Sequence, residues 1–149
     1  MSQATQIKDK KSEISGFILE RTAKRMKQFF QQRLAAVDAD ITIDQVVLLQ
    51  ELDRQDGQSQ LDLAKATFKD APTVTRIIDL LCKKELTRRV ADPDDRRRFR
   101  IELTEAGRQK IREVLPLVKT FRQEAWQGLS EDEVDQLVAT LNKLFDNLQ

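Results

Sequence analysis

The densest cluster of reactive side chains lies near the middle of the chain, where residues 92–98 read Asp-Pro-Asp-Asp-Arg-Arg-Arg. Consecutive arginines suit phosphate groups because each planar guanidinium presents a fork of donors, and arginine can also enter a narrow minor groove of DNA. Asp92 and Asp95 can accept hydrogen bonds from turn amides and can hold one arginine in a fixed direction. The run is therefore a candidate contact for double-stranded DNA, if a DNA-binding element lies beside it. The alternative is a solvated charged turn, whose ion pairs contribute little stability.

The distribution of charge favours a polyanion as the partner. The 149-residue chain has a net charge of only +1, but residues 60–100 carry 11 basic and 7 acidic side chains, whereas residues 101–149 carry 6 and 9. A basic centre between less basic ends would localise any contact with DNA to the middle of the chain.

The composition argues against most catalytic and metal chemistry. The chain has no histidine and a single cysteine, Cys82, so an intrachain disulfide is excluded and a zinc site lacks ligands. It contains no glycine-rich phosphate loop and no serine-hydrolase motif. We therefore expect no catalytic residue, no metal and no cofactor. The polar N-terminus and the lack of a long apolar run predict a cytoplasmic protein with no membrane partner.

Several helices are predicted before the charged run. Apolar residues at near-helical spacing indicate a long amphipathic helix from about Ser12 to Leu34. Capping signals follow at Thr42 and Ser59, and Pro72 is expected at the first position of the next helix. The apolar face of that helix is formed by Val74, Ile77, Ile78 and Leu81. The polar face on the opposite side is formed by Thr73, Arg76 and Lys83. Two short helices joined by a tight turn match a helix-turn-helix.

The periodicity changes after this helix pair. Residues 86–91 and 99–103 read as short strands, and the charged run between them is rich in turn residues. We therefore expect a β-hairpin whose tip carries the arginines. A further helix should start after Thr104, and a capping box at Ser130 predicts a last helix with heptad-like apolar spacing.

From Thr42 to Gly107 the sequence resembles the MarR family of bacterial winged-helix regulators. Residues 92–98 are similar to the family's D-x-R-D-x-R wing at Asp92, Asp95 and Arg97, and "LTEAG" is similar to its L-T-x-x-G motif. The resemblance implies a mainly α (α+β) fold: a winged helix-turn-helix with a two-stranded β wing and long terminal dimerisation helices. It implies one domain over residues 1–149, with a DNA-binding lobe at about 42–107 and dimerisation helices at about 12–36 and 108–149.

The resemblance further implies a cytoplasmic homodimer that binds specific duplex DNA and represses transcription. Asp92 and Asp95 are expected to support the wing. The residues expected to contact DNA lie at the first helix of the pair, on the recognition helix and at the wing tip: Ser59, Gln60, Thr73, Thr75, Arg76, Lys83, Arg96, Arg97 and Arg98.

Three residues depart from the family pattern. Asp94 stands where the wing has its first arginine, which shifts the groove-entering role to Arg96 or Arg97. Glu85 replaces the glycine that commonly ends the recognition helix, and this leaves the helix end unexplained. Cys82 lies in the recognition helix, where we expect it to pack rather than to sense oxidants.

The resemblance also implies a cleft between the dimerisation helices and the DNA-binding lobe that can hold a small aromatic or phenolic anion. Arg25, Phe29, Phe30 and Trp126 are the residues expected to bind it. The alternative is that these aromatic side chains belong to the dimer core. A different function also stays open at this point, a helical protein-interaction module that uses the basic hairpin and the C-terminal helix without DNA.

Overall fold

The computed structural model describes all 149 residues and contains six helices and a small three-stranded sheet. None of the helices is long and apolar enough to cross a membrane. The elements, in chain order, are α1 (Gln3–Val37), α2 (Ile43–Arg54), β1 (Gln58–Ser59), α3 (Gln60–Thr67), α4 (Ala71–Lys83), β2 (Thr87–Ala91), β3 (Phe99–Leu103), α5 (Glu105–Ala125) and α6 (Glu131–Asn147).

The predicted helix starts are confirmed where a side chain caps the helix. The hydroxyls of Thr42, Ser59, Thr104 and Ser130 each accept a hydrogen bond from the backbone amide three residues later, at 3.0–3.2 Å. Each bond satisfies a donor that the first turn of a helix leaves without a partner. Capping boxes complete the starts of α2 and α6. These four starts could be predicted because the capping interaction is local in sequence.

Two helix starts differ from the prediction. Pro72 occupies the second position of α4 rather than the first, because Asp70 caps the helix by accepting a hydrogen bond from the Thr73 amide at 2.8 Å. The first helix begins at Gln3 rather than near Ser12, and Ser2 caps it. Its early residues are all exposed, so helix-favouring lysine, glutamine and alanine residues extend the helix without an apolar stripe to signal it.

The hydrophobic core lies where the apolar stripe of α4 meets α2, α3 and the sheet. Val74, Ile77, Ile78 and Leu81 are all buried, as their spacing predicts. They pack in one cluster with residues of the neighbouring elements, among them Leu48, Leu49, Leu52, Leu63, Ile101 and Leu103. The opposite face of α4 is therefore directed away from the core.

The sheet contains the predicted hairpin and one additional strand. β2 and β3 pair antiparallel from Thr87 opposite Leu103 to Ala91 opposite Phe99, which leaves residues 92–98 as the tip. β1 pairs with the other edge of β3, with Gln58 opposite Ile101. The two-stranded wing of the prediction is thus part of a three-stranded sheet, since a two-residue strand is too short to show alternation in the sequence.

The end of α4 explains the departure at Glu85. Glu85 adopts a left-handed conformation with φ of 61°, the position that glycine usually occupies after a helix. The Glu85 amide donates to the Cys82 carbonyl and the Leu86 amide donates to the Leu81 carbonyl, both at 3.0 Å. The Glu85 carbonyl also accepts from the Thr104 hydroxyl at 2.6 Å. These bonds hold a non-glycine residue in a conformation that it rarely adopts alone.

Gly107 permits the start of α5 to pack closely against the loop after α4. A Cβ atom at this position would lie 2.1 Å from the carbonyl oxygen of Leu86. Because that neighbour is backbone, it cannot move aside as a flexible side chain could. This close contact explains why a glycine occupies the last position of the L-T-x-x-G motif, since a larger residue would clash with the backbone.

The terminal helices expose much apolar surface. No residue of α6 is buried, and α1 buries only Leu34. The side chains exposed on the two helices include Ile14, Phe17, Ile18, Leu137, Val138, Leu141, Leu144 and Phe145. The α6 helix contacts the end of α3 through an edge-to-face pair of Phe145 with Phe68, whose ring centroids are 5.7 Å apart. Phe68 is 82% exposed and ends α3 in a left-handed conformation.

Candidate nucleic-acid interface

The outward face of α4 has the residues that a recognition helix needs. Arg76 and Lys83 are exposed and make no hydrogen bond or ion pair with other side chains, while Thr73 is half-buried near the start of the helix. Because the Arg76 side chain has no hydrogen-bond or ion-pair partner in the chain, its guanidinium is free to make two hydrogen bonds with a guanine edge. This face can therefore meet the major groove.

Thr75 and Gln60 join the two helices of the pair. The Thr75 hydroxyl donates to the Ala71 carbonyl and accepts from the side-chain amide of Gln60, each at 3.0 Å. The hydroxyl donor of Thr75 is therefore already used inside the protein. What remains for a base is its methyl group, which suits the methyl of thymine, and the free amide oxygen of Gln60.

The wing tip is built by its aspartates, as predicted. Asp92 accepts from the Asp94 amide at 2.9 Å, and Asp95 accepts from the Arg97 amide at 3.0 Å. The Asp94 amide bond, together with the charge of Arg100, lowers the pKa of Asp92 even though burial opposes the shift. The two hydrogen bonds to these carboxylates fix the backbone of the tip.

The arginines held by these carboxylates are Arg98 and Arg100. Arg100 on β3 lies 3.5 Å from Asp92 and 3.6 Å from Asp94, and Arg98 lies 3.6 Å from Asp95. The side chains of Arg96 and Arg97 have no partner in the chain and are exposed. The tip thus presents two uncommitted guanidinium groups on a backbone that the aspartates hold in place.

The wing and the helix pair meet at a shallow cavity of about 230 Å³. It is lined by Ser59 and Gln60 at the start of α3, by Arg97 and Arg98 of the tip, and by Leu61 and Phe99. A helix start and two arginines on one concave surface can hold a phosphate group. The structure thus brings together four residues that are expected to contact DNA and that come from two separate segments of the chain: Ser59, Gln60, Arg97 and Arg98.

The sequence reasoning missed residues whose partners lie on other elements. Arg89 of β2 pairs with Asp79 of α4, and Arg100 of β3 pairs with Asp92. Neither arginine was predicted to be part of the site. Asp44 at the start of α2 bridges Lys27 of α1 at 3.1 Å and Lys69 of the helix-turn-helix turn at 2.8 Å. No local pattern signals these pairs, because each depends on how distant elements pack.

A second cavity, of about 610 Å³, lies between α1 and the end of α5. It contains Arg25 and Phe29 from the expected ligand-binding set, but Phe30 and Trp126 are absent from its lining. The other lining residues are Arg21, Thr22, Met26, Glu124, Ala125 and Gln127. Phe30 packs against the hydrophobic core, and so does Phe29, which also lines the cavity.

The electrostatics of this second cavity suit an aromatic anion. Glu124 is paired with Arg33 at 2.9 Å, and the Arg33 guanidinium lies 5.0 Å from the ring centroid of Phe29. Arg21 and Arg25 lie one turn apart on α1 and form no ion pair with any carboxylate of the chain. The acidic residue of the cavity is thus neutralised, and two arginines remain available beside an aromatic ring.

Cys82 is half-buried on α4, and its sulfur lies 3.3 Å from the Thr87 hydroxyl. From α4 it packs against Thr87, the first residue of β2. This placement agrees with the packing role expected for the thiol.

Comparison with known proteins connects this architecture to a family. The family model described as the MarR family matches residues 41–99, which span the helix pair and most of the wing. The HTH-type transcriptional repressor NicR of Pseudomonas putida is 31% identical over 132 residues, which cover 89% of this chain and 82% of NicR.

Two solved structures show the same fold over most of the chain. BpsR of Bordetella bronchiseptica, solved to explain how 6-hydroxynicotinic acid regulates its DNA binding, has 33% identity and a TM-score of 0.79, covering 87% of this chain and 97% of BpsR. The MepR–DNA complex of S. aureus has 32% identity and a TM-score of 0.80, covering 89% and 96%. With a helix-turn-helix, a basic wing and these relatives, the chain belongs to the MarR family of DNA-binding transcriptional regulators.

Proposed function

We propose that this chain acts as a homodimeric repressor that binds a near-palindromic duplex site and is released by a small aromatic acid. The observation that carries the DNA-binding part is the placement of uncommitted arginines on two neighbouring surfaces. Arg76 projects from α4, and Arg96 and Arg97 project from the wing tip, without partners inside the chain. The protein binds DNA and performs no catalysis.

In this proposal the two surfaces read different grooves. The exposed face of α4 enters the major groove, where Arg76 contacts a base edge and Thr73 and Lys83 lie close to the bases or the phosphates. Arg96 or Arg97 enters the adjacent minor groove, and Ser59 and Arg98 bind the intervening phosphates. The side-chain oxygen of Gln60 faces a base edge instead. Asp92 and Asp95 act indirectly by holding the tip in shape.

The terminal helices are proposed to form the dimer. An exposed apolar surface as extensive as that of α1 and α6 marks an interaction site on a soluble chain. A second copy that covers it would bury the stripes of residues 14–18 and 134–148, with residues 42–107 left as the DNA-binding lobe. Two recognition helices would then lie about 34 Å apart, which suits half-sites one helical turn apart.

The proposed ligand site is the 610 Å³ cavity beside α1. Arg21 and Arg25 can pair with a carboxylate, and Phe29 can stack against an aromatic ring. The regulation of BpsR by 6-hydroxynicotinic acid supports a hydroxylated aromatic acid as the ligand class here. A ligand releases DNA only if it binds the DNA-incompetent conformation more tightly, and a reversal from 99:1 to 1:99 needs a preference of about 5.5 kcal/mol.

The test is a DNA-binding titration with a panel of aromatic acids that includes 6-hydroxynicotinic acid, run in parallel with thermal unfolding without DNA. An acid that stabilises the free protein and weakens DNA binding supports the ligand part of the proposal. Arg25→Ala should lose both effects and keep its affinity for DNA. The exposed Lys119→Ala on α5 lies outside the cavity lining and serves as the control. If no acid alters either measurement, the protein is a constitutive DNA binder.

A further inference from the structure

The face of α4 that is expected to meet DNA carries one carboxylate among its basic residues. Asp79 lies three residues after Arg76 and four before Lys83, so these three side chains share one stripe of the helix. The stripe is opposite the buried Val74 and Ile78. The side chain of Asp79 is 59% exposed. A carboxylate repels phosphate, so phosphate binding does not explain an acidic residue on this face.

The partner of Asp79 is Arg89 of β2 rather than either basic neighbour on the helix. One carboxylate oxygen of Asp79, Oδ1, accepts a hydrogen bond from the Arg89 guanidinium. Arg89 is opposite Ile101 in the sheet, and its side chain is only 30% exposed. Since Arg89 is held at the junction of α4 and the sheet, it fixes the direction of the carboxylate. The second oxygen, Oδ2, has no partner in the chain.

A carboxylate held in this way discriminates between base edges. In the major groove cytosine and adenine present amino groups, whereas guanine and thymine present carbonyl oxygens. An ionised carboxylate only accepts hydrogen bonds, so it can pair with an amino group but is repelled by a carbonyl oxygen. Because Oδ2 is unpaired, it can accept a hydrogen bond from an amino group while Oδ1 keeps its bond to Arg89.

We propose that Asp79 is a specificity-determining residue that admits an amino base, cytosine or adenine, and excludes guanine and thymine at one position of each half-site. This inference rests on the proposed DNA-binding function and adds to it the identity of one class of base contact. Arg89 is the positioning residue, because it directs the carboxylate and needs no base contact of its own. The unpaired Arg76 on the same stripe has the opposite preference, for guanine.

A purely structural role for the pair predicts different behaviour. If Asp79 only ties α4 to the sheet through Arg89, its removal lowers stability and weakens binding to all duplexes by the same factor. A specificity role instead changes the relative affinities for different bases at one position. Base preference is therefore the informative measurement, since a general loss of affinity does not separate the two roles.

The experiment selects bound fragments from random duplex DNA with the wild-type protein and with Asp79→Asn. Affinities are then measured for the selected site and for its versions with each other base pair at the position that changes. The wild type should bind the amino base about tenfold more tightly than either keto base. Asp79→Asn should reduce that ratio to about twofold, because an amide both donates and accepts hydrogen bonds. Comparison of cytosine with adenine identifies which amino base is read.

Two further variants keep the test decisive. Asp53→Asn on α2 removes the same charge at an exposed position without a side-chain partner, and it should leave the selected sequence unchanged. Asp79→Glu retains the carboxylate, so it should keep the amino preference even if the amide variant folds poorly. An unchanged base preference in Asp79→Asn overturns the assignment. Failure of the wild type to select any sequence contradicts the proposed DNA-binding function itself.

Discussion

The ammonium group of Lys110 on α5 lies 2.7 Å from the carboxylate of Asp38, the residue that ends α1. The hydrogen bond from Lys110 lowers the pKa of Asp38, although burial opposes the shift and the Asp40 amide supports it. The same bond raises the pKa of Lys110. This pair joins α5 to the end of α1.

Replacing Lys110 by Met should lower the free energy of unfolding by about 1 kcal/mol at pH 7. The folded pKa of Asp38 is depressed, so its contribution is present above the unfolded value of 3.8 and is lost as the pH falls through the folded value. The Lys110 contribution is present below 10.5 and is lost as the pH rises through its raised folded value. Urea unfolding at pH 7 and below pH 3 measures the free energy of unfolding with the Asp38–Lys110 pair present and with it weakened by acid. The difference between wild type and variant should shrink at the acid pH.

The matched control is Arg112→Met, which removes an exposed pair with Glu105 on the same helix. It should change stability little at either pH, because exposed ion pairs contribute little. A Lys110→Met effect that is the same at both pH values would assign its role to packing of the side chain.

The wing is tested by replacing Arg96 and Arg97 together with Ala. Neither side chain has a partner in the chain, so the fold and the dimer should be unaffected while duplex affinity falls. Loss of two charge contacts should also make the salt dependence of binding shallower by about 0.9 per contact. Fluorescence anisotropy at moderate salt measures the affinity. Arg112→Ala is the control, and equal affinities for the two proteins would remove the wing from the interface.

The recognition helix is tested with Arg76→Ala. If Arg76 makes a bidentate contact with guanine, specific binding should weaken by about 1–3 kcal/mol, while non-specific binding weakens much less. Competition between the selected site and random duplex gives both affinities in one assay. Equal losses on the two DNAs would make Arg76 a phosphate anchor without a role in sequence recognition.

The dimer is tested by ending the chain at Ser130. Because α6 buries no residue within its own chain, its removal should leave the DNA-binding lobe folded and should abolish the dimer. Sedimentation velocity measures the oligomeric state, and circular dichroism checks the fold. A truncated chain that still sediments as a folded dimer would show that α6 is not required for dimerisation.

The capped helices and the buried stripe of α4 could be predicted because their signals are local. Thr42 and Ser130 lie three residues before the groups they bind, and Val74, Ile77, Ile78 and Leu81 repeat at helical spacing. The hairpin followed from alternation in residues 99–103. In each case the interaction that stabilises the element lies within a few residues, so a sequence pattern is enough.

The parts that could not be predicted depend on packing between distant segments. Asp92 and Asp95 were expected to hold an arginine, but only the strand register shows that Arg100 lies beside Asp92 and that Arg97 stays free. Glu85 takes a conformation usually left to glycine because the Thr104 hydroxyl binds its carbonyl from nineteen residues away. The Asp79–Arg89 pair likewise forms only because β2 passes beside α4.

The most direct test of the account is the salt dependence of binding to a duplex selected from random DNA. If a dimer uses α4 and the wing of both protomers, several phosphates are neutralised and the logarithm of the affinity falls linearly with that of the salt concentration, with a slope of about −0.9 per phosphate. We predict a slope steeper than about −4, measured by anisotropy between low and moderate salt. A flat dependence, or binding that does not distinguish the selected duplex from random DNA, would contradict sequence-specific binding through these two surfaces.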